Sequence, residues 1–557
     1  MKKLLLASAI GMALFNNASY AAITVNADGT PTAATLANTT EVYLSGAGAL
    51  QTLIEKALLI GTKDGLCKTG TVRKYQDSGT NGSNQVAYLC EFNKGTGLNA
   101  VLNTLSTHPN TWKSNLLLYK RNEGGSLPGL VPVANNLPLT FLNVKANPGV
   151  CTPVSAGIFA ATVSCEYSST NNNSHVPDFG VSDQEPRLFT IANGNSPVGT
   201  PAILSNYKIT PGVDAIFGIA VTTKLRNALQ EAQFGRTSTC VGAETESCMP
   251  SLSTGQIAAI FGAYNAPVAP ATLPAVGAGK IHDWKQLKIG ATGDLWTNAS
   301  SANQATSSKV HICSRTIGAG AKVAFGTAFL STGCNPSAPK VVGQADYLGK
   351  DEVVGSAPVL ESATRPIVHV AASLSSVDEC LDELDLDANN TTGAFDSTQY
   401  VGTRWAIGYT AIERNATRSK AYRYIKVDGA APTLENVASG KYNFWSEVVY
   451  VYRNATNPLI GDRLTLINEF INSFGRPAVV SLANTDATHS FGVSGHLAVP
   501  NAAHPAPANG LVDLANPINT LSYAIYPGTS TNSTNNCRVP LIYSTTSNNT
   551  QGIQLNP

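Results

Sequence analysis

The chain has 557 residues, of which 13% are charged and 43% hydrophobic. Soluble proteins carry roughly 25% charge, so this is a low-charge chain with enough apolar residues for ordinary cores, and its length calls for two or more domains or lobes. The formal net charge is +1, and loss of a leader carrying Lys2 and Lys3 takes it to −1, which argues against binding nucleic acid or a membrane surface through bulk positive charge.

Residues 1–21 have the pattern of an export signal. Lys2 and Lys3 form the positive start and Leu4 to Phe15 the apolar stretch. Ser19-Tyr20-Ala21 puts small residues where a signal peptidase reads. Cleavage is expected after Ala21. No Cys lies near that point, so no lipid anchor is expected. No later run of about 18 or more apolar residues appears, so no transmembrane segment is expected in the mature chain. These features point to the periplasm, or to a secreted or cell-surface protein.

Further on, short apolar strands lead into Gly-rich turns and helical runs. Glu41-Val42-Tyr43-Leu44 predicts a strand that passes through Ser45-Gly46-Ala47-Gly48-Ala49 into a helix over 50–58. Leu116-Leu117-Leu118-Tyr119 predicts a strand leading to Asn122-Glu123-Gly124-Gly125-Ser126. The stretch from Asp178 to Pro186 predicts a turn in which Ser182 or Asp183 caps the next helix. The run from Ala215 to Val221 is continuously apolar, as in a strand buried on both faces. Ser253 starts an apolar helical run that ends at Gly262. Val310-His311-Ile312-Cys313 predicts a strand leading through Arg315-Thr316-Ile317-Gly318-Ala319-Gly320-Ala321 into a helix reaching Leu330. The run from Asp462 to Ile471 predicts an amphipathic helix. Strands alternating with helices imply α/β layers with mostly parallel strands.

Three stretches read as additions to a compact body: residues 61–115, residues 138–176, and a loop-rich C-terminal extension over 477–557. Ten Cys in an exported chain favour disulfides. The spacings point to neighbouring pairs, Cys67–Cys90, Cys151–Cys165, Cys240–Cys248 and Cys313–Cys334, leaving Cys380 for Cys537.

The Gly-rich turns carry the chemistry. The first amides of a helix point outward unpaired, and the helix dipole favours negative charge there. Glycines let successive N–H groups converge into an anion-binding nest. Arg315, just before one such turn, supplies planar donors suited to an oxyanion. Asp183 has a role beside such an anion only where the anion carries a proton to donate. A protonated phosphate does so and sulfate at neutral pH does not, so Asp183 would select between them.

In this order the elements resemble the phosphate-binding proteins of bacterial ABC importers, the two-lobed periplasmic type. Those proteins carry Thr/Ser-Gly-Ala-Gly-Ala after the first strand, matched by Ser45 to Ala49. Their Gly/Ser-rich turn is resembled by Glu123 to Ser126. Their Phe-Gly-Ala-Ser-Asp motif is matched by Phe179 to Asp183, with Val181 for Ala. Their Arg-x-x-Gly-Ser-Gly-Thr is matched in spacing by Arg315 to Ala321. Thr254 to Gly262 with Ile281-His282-Asp283-Trp284, then Trp405 to Tyr409, then Tyr424 to Val437, look like the family's later segments. The resemblance spans about residues 40–475.

It implies a lobe over 22–195 that returns at 411–476, a second lobe over 196–410, and a ligand in the cleft between them. The implied ligand residues are Gly48, Ala49, Leu50, Gly125, Ser126, Asp183, Arg315, Ala319, Gly320 and Ala321. It implies no cofactor and no catalysis, with phosphate or a related oxyanion as ligand and an importer permease as receiving partner. Leu50, Ala319 and Ala321 stand where the family has hydroxyl side chains on the phosphate. Hydrogen bonds to a charged group are worth roughly 1.5–3 kcal/mol each. Three outcomes therefore stay open: weak phosphate binding, a less polar ligand, or a structural or adhesive protein that keeps the fold.

Other motifs are weaker. Asp385, Asp387 and Asn389, with Asp396 at the twelfth place, are spaced like a calcium loop, although Asn390 stands where Gly is usual. The eight His form no zinc motif. No Gly-x-Ser-x-Gly elbow is present. A phosphatase is the weakest reading, because no nucleophile–base pair or metal cluster appears.

Overall fold

The computed structural model describes residues 22–60, 65–78, 84–93, 113–145, 151–168, 172–189, 205–262, 281–289, 293–330, 352–353, 366–387, 402–455, 457–501, 503–523 and 542–544. The expected leader, Cys334 and Cys537 lie outside them.

The fold is α/β. Its first half contains strands β1 (Thr39–Gly46), β2 (Arg73–Asp77), β3 (Gln85–Glu91), β4 (Asn115–Arg121), β5 (Leu139–Leu142), β6 (Cys151–Val154), β7 (Ala161–Cys165), β8 (Asn172–His175) and β9 (Phe179–Ser182), with helices α1 (Ala33–Ala37), α2 (Gln51–Leu59) and α3 (Leu127–Asn135). The sheet order here is β9-β1-β4-β3-β2-β7-β6, and β9, β1 and β4 run parallel. Val42 and Leu44 of β1 face one core while Tyr43 faces another; Leu116 and Leu118 of β4 alternate with Leu117 and Tyr119 in the same way. That period of two with both faces buried explains the unbroken apolar runs in the sequence.

The second half contains β10 (Tyr207–Thr222), α4 (Thr223–Phe234), β11 (Ser251–Leu252), α5 (Thr254–Phe261), α6 (Leu295–Asn298), β12 (Ser307–Arg315), α7 (Gly320–Leu330), β13 (Glu352–Val353), β14 (Ile367–Ala371), α8 (Leu374–Leu386), β15 (Arg404–Ala411), β16 (Tyr422–Val427) and α9 (Leu434–Ala438). The order β13-β14-β12-β15 is parallel throughout. Helix α5 starts on a complete capping box, Ser253 with Gln256. Strand β17 (Trp445–Arg453) then returns to the first half beside β9, followed by α10 (Gly461–Phe474) and α11 (Pro477–Asn484).

The antiparallel strands β10 and β17 join the halves. Residues 207–216 of β10 pair with β17, and residues 217–222 pair with β15 and β16. The chain thus crosses at Ile216–Phe217. Because β16 pairs with the far end of β10 and with β11, the return crossing falls between β16 and β17 rather than at 411.

Several expectations are corrected. The stretches read as additions supply β2, β3, β6 and β7, which widen the main sheet. Tyr75, Leu89, Val163 and Cys165 bury the second face of β1 and β4. The C-terminal extension is not wholly loop. Pro at the first turn and the spacing of Val479, Val480 and Ala483 form α11, which packs on α2. Strands β18 (Thr488–His489) and β19 (Gly492–Val493) make a hairpin, and β20 (His496–Ala498) pairs with β10. Disulfides Cys67–Cys90, Cys151–Cys165 and Cys240–Cys248 form as expected. Cys313, however, pairs with Cys380 at a Cα–Cα distance of 6.0 Å. The two expected bridges Cys313–Cys334 and Cys380–Cys537 are therefore replaced. Nearness in sequence fails here because α8 packs on β12 and so brings Cys380 over Cys313.

Candidate functional site

The loops singled out from sequence meet between the two halves of the sheet. The Gly46 turn ties to β9 through Ala47 N–H, which donates to Val181 O at 2.9 Å. Gly48 faces Asn122, whose Cβ would lie 3.6 Å from a Cβ placed on Gly48. Leu127 N–H donates across the halves to Gly318 O at 2.9 Å. A Cβ on Gly125 would lie 2.9 Å from Ala319 Cα and 3.5 Å from Arg315 Nη2. One on Gly320 would lie 2.3 Å from Ser126 Oγ and 2.7 Å from Asp183 Cβ. Gly125 and Gly318 hold φ of 71° and 84°, a region that suits glycine.

Asp183 sits at the centre. It comes directly after β9, a strand fully buried between β1 and β17, where the sequence predicts a turn. Its backbone N–H donates to Ser126 Oγ at 2.9 Å. Its carboxylate takes the Ala321 N–H, an unpaired amide at the start of α7, and a hydrogen bond from Ser126. Burial pushes its pKa up to about 6, against the opposing pull of Arg315, Lys120, Ser126 and Ala321. Asp183 Oδ1 is buried and has no hydrogen-bond partner among the described residues.

Arg315 ends β12 and is 4% exposed. Its Nε donates to Ala371 O at 3.3 Å and its Nη2 to Ala372 O at 3.2 Å. Its backbone N–H donates to Tyr409 Oη at 3.2 Å. Burial lowers its pKa, while Tyr409 and Asp183 oppose that shift. The carbonyls at the end of β14 thus aim the guanidinium at the junction, and the hydroxyl of β15 holds its backbone.

Lys120 is a site residue that the sequence motifs do not mark. It comes directly after the apolar run of β4 and is fully buried. Its Nζ donates to Gly46 O at 2.9 Å and to Arg121 O at 3.1 Å. Burial pushes its pKa down to about 7, Asp183 opposing and Arg121 assisting. A charged residue closing an otherwise apolar strand is the signal that the sequence does contain.

The three positions without hydroxyls are apolar inside the molecule as well. Leu50 is fully buried and packs into the main core, and Ala319 and Ala321 are 1% exposed. Ala49 takes part in a backbone hydrogen bond with the buried His496 ring, so the C-terminal segment braces the first turn. Of the residues spaced like a calcium loop, Asp385 lies inside α8, where its Oδ1 accepts from Lys224 N–H at 3.0 Å. Asp387 caps that helix at φ 54° and accepts from Gly402 N–H at 2.8 Å. Asn389 and Asp396 lie outside the described residues.

Neither a protein-family profile nor a curated protein sequence matches the chain. Solved structures similar to it include a substrate-binding protein from Clostridium perfringens with bound phosphate, at 11% identity and a TM-score of 0.35, covering 80% of this chain and 98% of that one. An ABC-type phosphate transport receptor from Vibrio cholerae is similar at 10% identity and a TM-score of 0.32, covering 77% and 93%. PstS from Borrelia burgdorferi is similar at 11% identity and a TM-score of 0.30, covering 82% and 98%. Among the described residues no helix is long and apolar enough to cross a membrane.

Proposed function

We propose that the protein captures a small oxyanion of the phosphate kind outside the cytoplasm, between the two halves of its sheet, and performs no chemistry on it. The reading is carried by one convergence. Arg315 and the first amides of α7 come from one half, and Ser126, Lys120 and Asp183 from the other, onto one buried point. Asp183 takes the anion's place there, on the Ala321 amide and beside Arg315. A ligand enters as the halves part at the β10 crossing and at the matching crossing before β17. Its entry gives Arg315 and the α7 amides an external anion, and Asp183 Oδ1 then accepts a proton-bearing oxygen. This favours hydrogen phosphate over sulfate. An importer permease is the proposed receiver of the captured ion.

A second reading has its own support. The buried, apolar Leu50, Ala319 and Ala321, and the direct contact of Gly125 with Ala319, suit a structural module that keeps the fold without a ligand. Equilibrium dialysis of labelled phosphate separates the two. Capture requires binding by the wild type that falls about 10- to 100-fold in Arg315→Ala, the loss matching a charged hydrogen bond of about 1.5–3 kcal/mol. Absence of binding in the wild type supports the structural module.

A further inference from the structure

A second cationic recess shares no residue with the cleft. It lies between the second half of the sheet and the C-terminal hairpin. Arg226 of α4, Arg423 of β16, Arg418 before it, and Glu244 of the turn closed by Cys240–Cys248 line a small recess open to solvent. Tyr424 and Phe491 form an aromatic wall.

The charges do not balance. Glu244 accepts from Arg423 Nε at 2.7 Å and from Arg418 Nη1 at 3.0 Å, which occupies both its oxygens. Arg226 reaches only neutral acceptors, Gln230 Oε1 at 3.3 Å and Ala243 O. Arg226 Nε and Arg423 Nη2 have no partner among the described residues. Glu244 is thus hydrogen-bonded to two of the three guanidinium groups, and Asp385 adds a longer-range attraction to Arg423. Burial pushes the Arg226 pKa down to about 10, Arg423 adds to that shift, and Glu244 alone opposes it. Arg418 is held at φ 61°, a backbone conformation disfavoured for a residue with a Cβ. The Arg226 charge, only 3% exposed, is costly to keep away from water unless an anion meets it. Guanidinium forks fit the oxygen edges of tetrahedral oxyanions.

We propose that this recess is a second anion site, which takes a tetrahedral dianion of the phosphate or sulfate kind between Arg226, Arg418 and Arg423. The excess of guanidinium over carboxylate suits an anion, and a dianion more than a monoanion. Both Glu244 oxygens already accept from arginines, so neither is left unsatisfied by a ligand without a proton, and this site does not discriminate against sulfate as the cleft does. Ser490 Oγ of the hairpin donates to Glu244 O at 2.8 Å, so the bound ion braces the C-terminal segment against the body of the protein.

Sulfate is the probe, titrated calorimetrically into wild type, Arg418→Gln and Arg315→Ala at constant ionic strength set with chloride. Arg418 is about half exposed, with 53% side-chain exposure, so its replacement leaves the fold intact. The expected result is one sulfate site in the wild type, unchanged in Arg315→Ala, weakened at least about tenfold in Arg418→Gln. Hydrogen exchange at residues 488–493 should slow on adding sulfate. No sulfate binding, or equal binding by wild type and Arg418→Gln, overturns the proposal. Loss in Arg315→Ala alone assigns the sulfate to the cleft and also overturns it. A failure of phosphate binding at the cleft leaves these outcomes untouched.

Discussion

Asp183 answers two opposing demands with one side chain. Burial drives it toward the neutral acid, while Arg315, Lys120, Ser126 and the Ala321 amide favour the anion, and burial wins in part. A carboxyl raised from 3.8 to about 6 holds its proton more tightly in the folded chain. Its contribution to stability is full below about pH 4 and is lost as pH rises through 6. Asp183→Asn keeps an acceptor for the Ala321 amide and removes the titration. The advantage of Asp183→Asn over wild type should therefore grow by about 1–3 kcal/mol between pH 4 and pH 7. Urea unfolding of both proteins at the two pH values measures this, and a difference that stays constant contradicts the assignment. Leu50 shows the other side of the residue scale. Its place in a motif pointed to a ligand position, and its side chain belongs to the core.

At the scale of elements, β1, β9 and α3 are fitted together through glycines. A Cβ on Gly180 would lie 1.7 Å from Gly129 O, and one on Gly46 1.9 Å from Val181 O. No side-chain movement relieves a clash with backbone. Gly180→Ala should cost about 3 kcal/mol or more, at the upper end of overpacking penalties, read as a fall in thermal midpoint; an unchanged midpoint would mean that the backbones are not in contact there. These glycines set the distance between β9, which carries Asp183, and α3, which starts just after Ser126. The α/β order, the strand under each Gly-rich turn and the start of α5 were legible because each rests on local chemistry: apolar runs, caps and turn glycines. What was not legible depended on partners distant in sequence. Polar β2 gave no strand signal, because Tyr75 is buried through pairing with β3 and β7 and by the core they share. Arg315 was legible as a donor, yet its aim comes from carbonyls 56 and 57 residues further on. The Cys313–Cys380 bridge needed the packing of α8, which spacing does not encode.

At the scale of the whole molecule, the two halves are joined where β10 and β17 run side by side, and that joint carries a conflict of charge. Asp214 and Glu447 are direct cross-strand neighbours just before the crossing, both buried, with Glu185 adding to the field on Glu447. Asn519 from the C-terminal segment donates to Asp214 Oδ2 at 2.6 Å. Burial is the first cause that raises both pKa values, and Asp214 adds to the rise at Glu447. Next to them, Ser446 Oγ donates to Asp183 O at 2.6 Å, so the joint and the cleft share a strand end. The pair adds most to stability when protonated, and that contribution is lost as pH rises through neutrality. Buried His489 and His496, pushed down to about 4, act in the opposite direction, but only below their unfolded value of about 6.5. Other described groups also titrate above pH 6.5. Glu413, pushed up to about 8, lowers stability as pH rises, and Lys120, pushed down to about 7, raises it. Both are common to the wild type and Asp214→Asn and cancel between them. The stability advantage of Asp214→Asn should thus increase by about 1–3 kcal/mol from pH 6.5 to pH 8.5. Chemical denaturation across that range decides the matter: parallel curves for the two proteins would mean that the joint does not hold the charge conflict described.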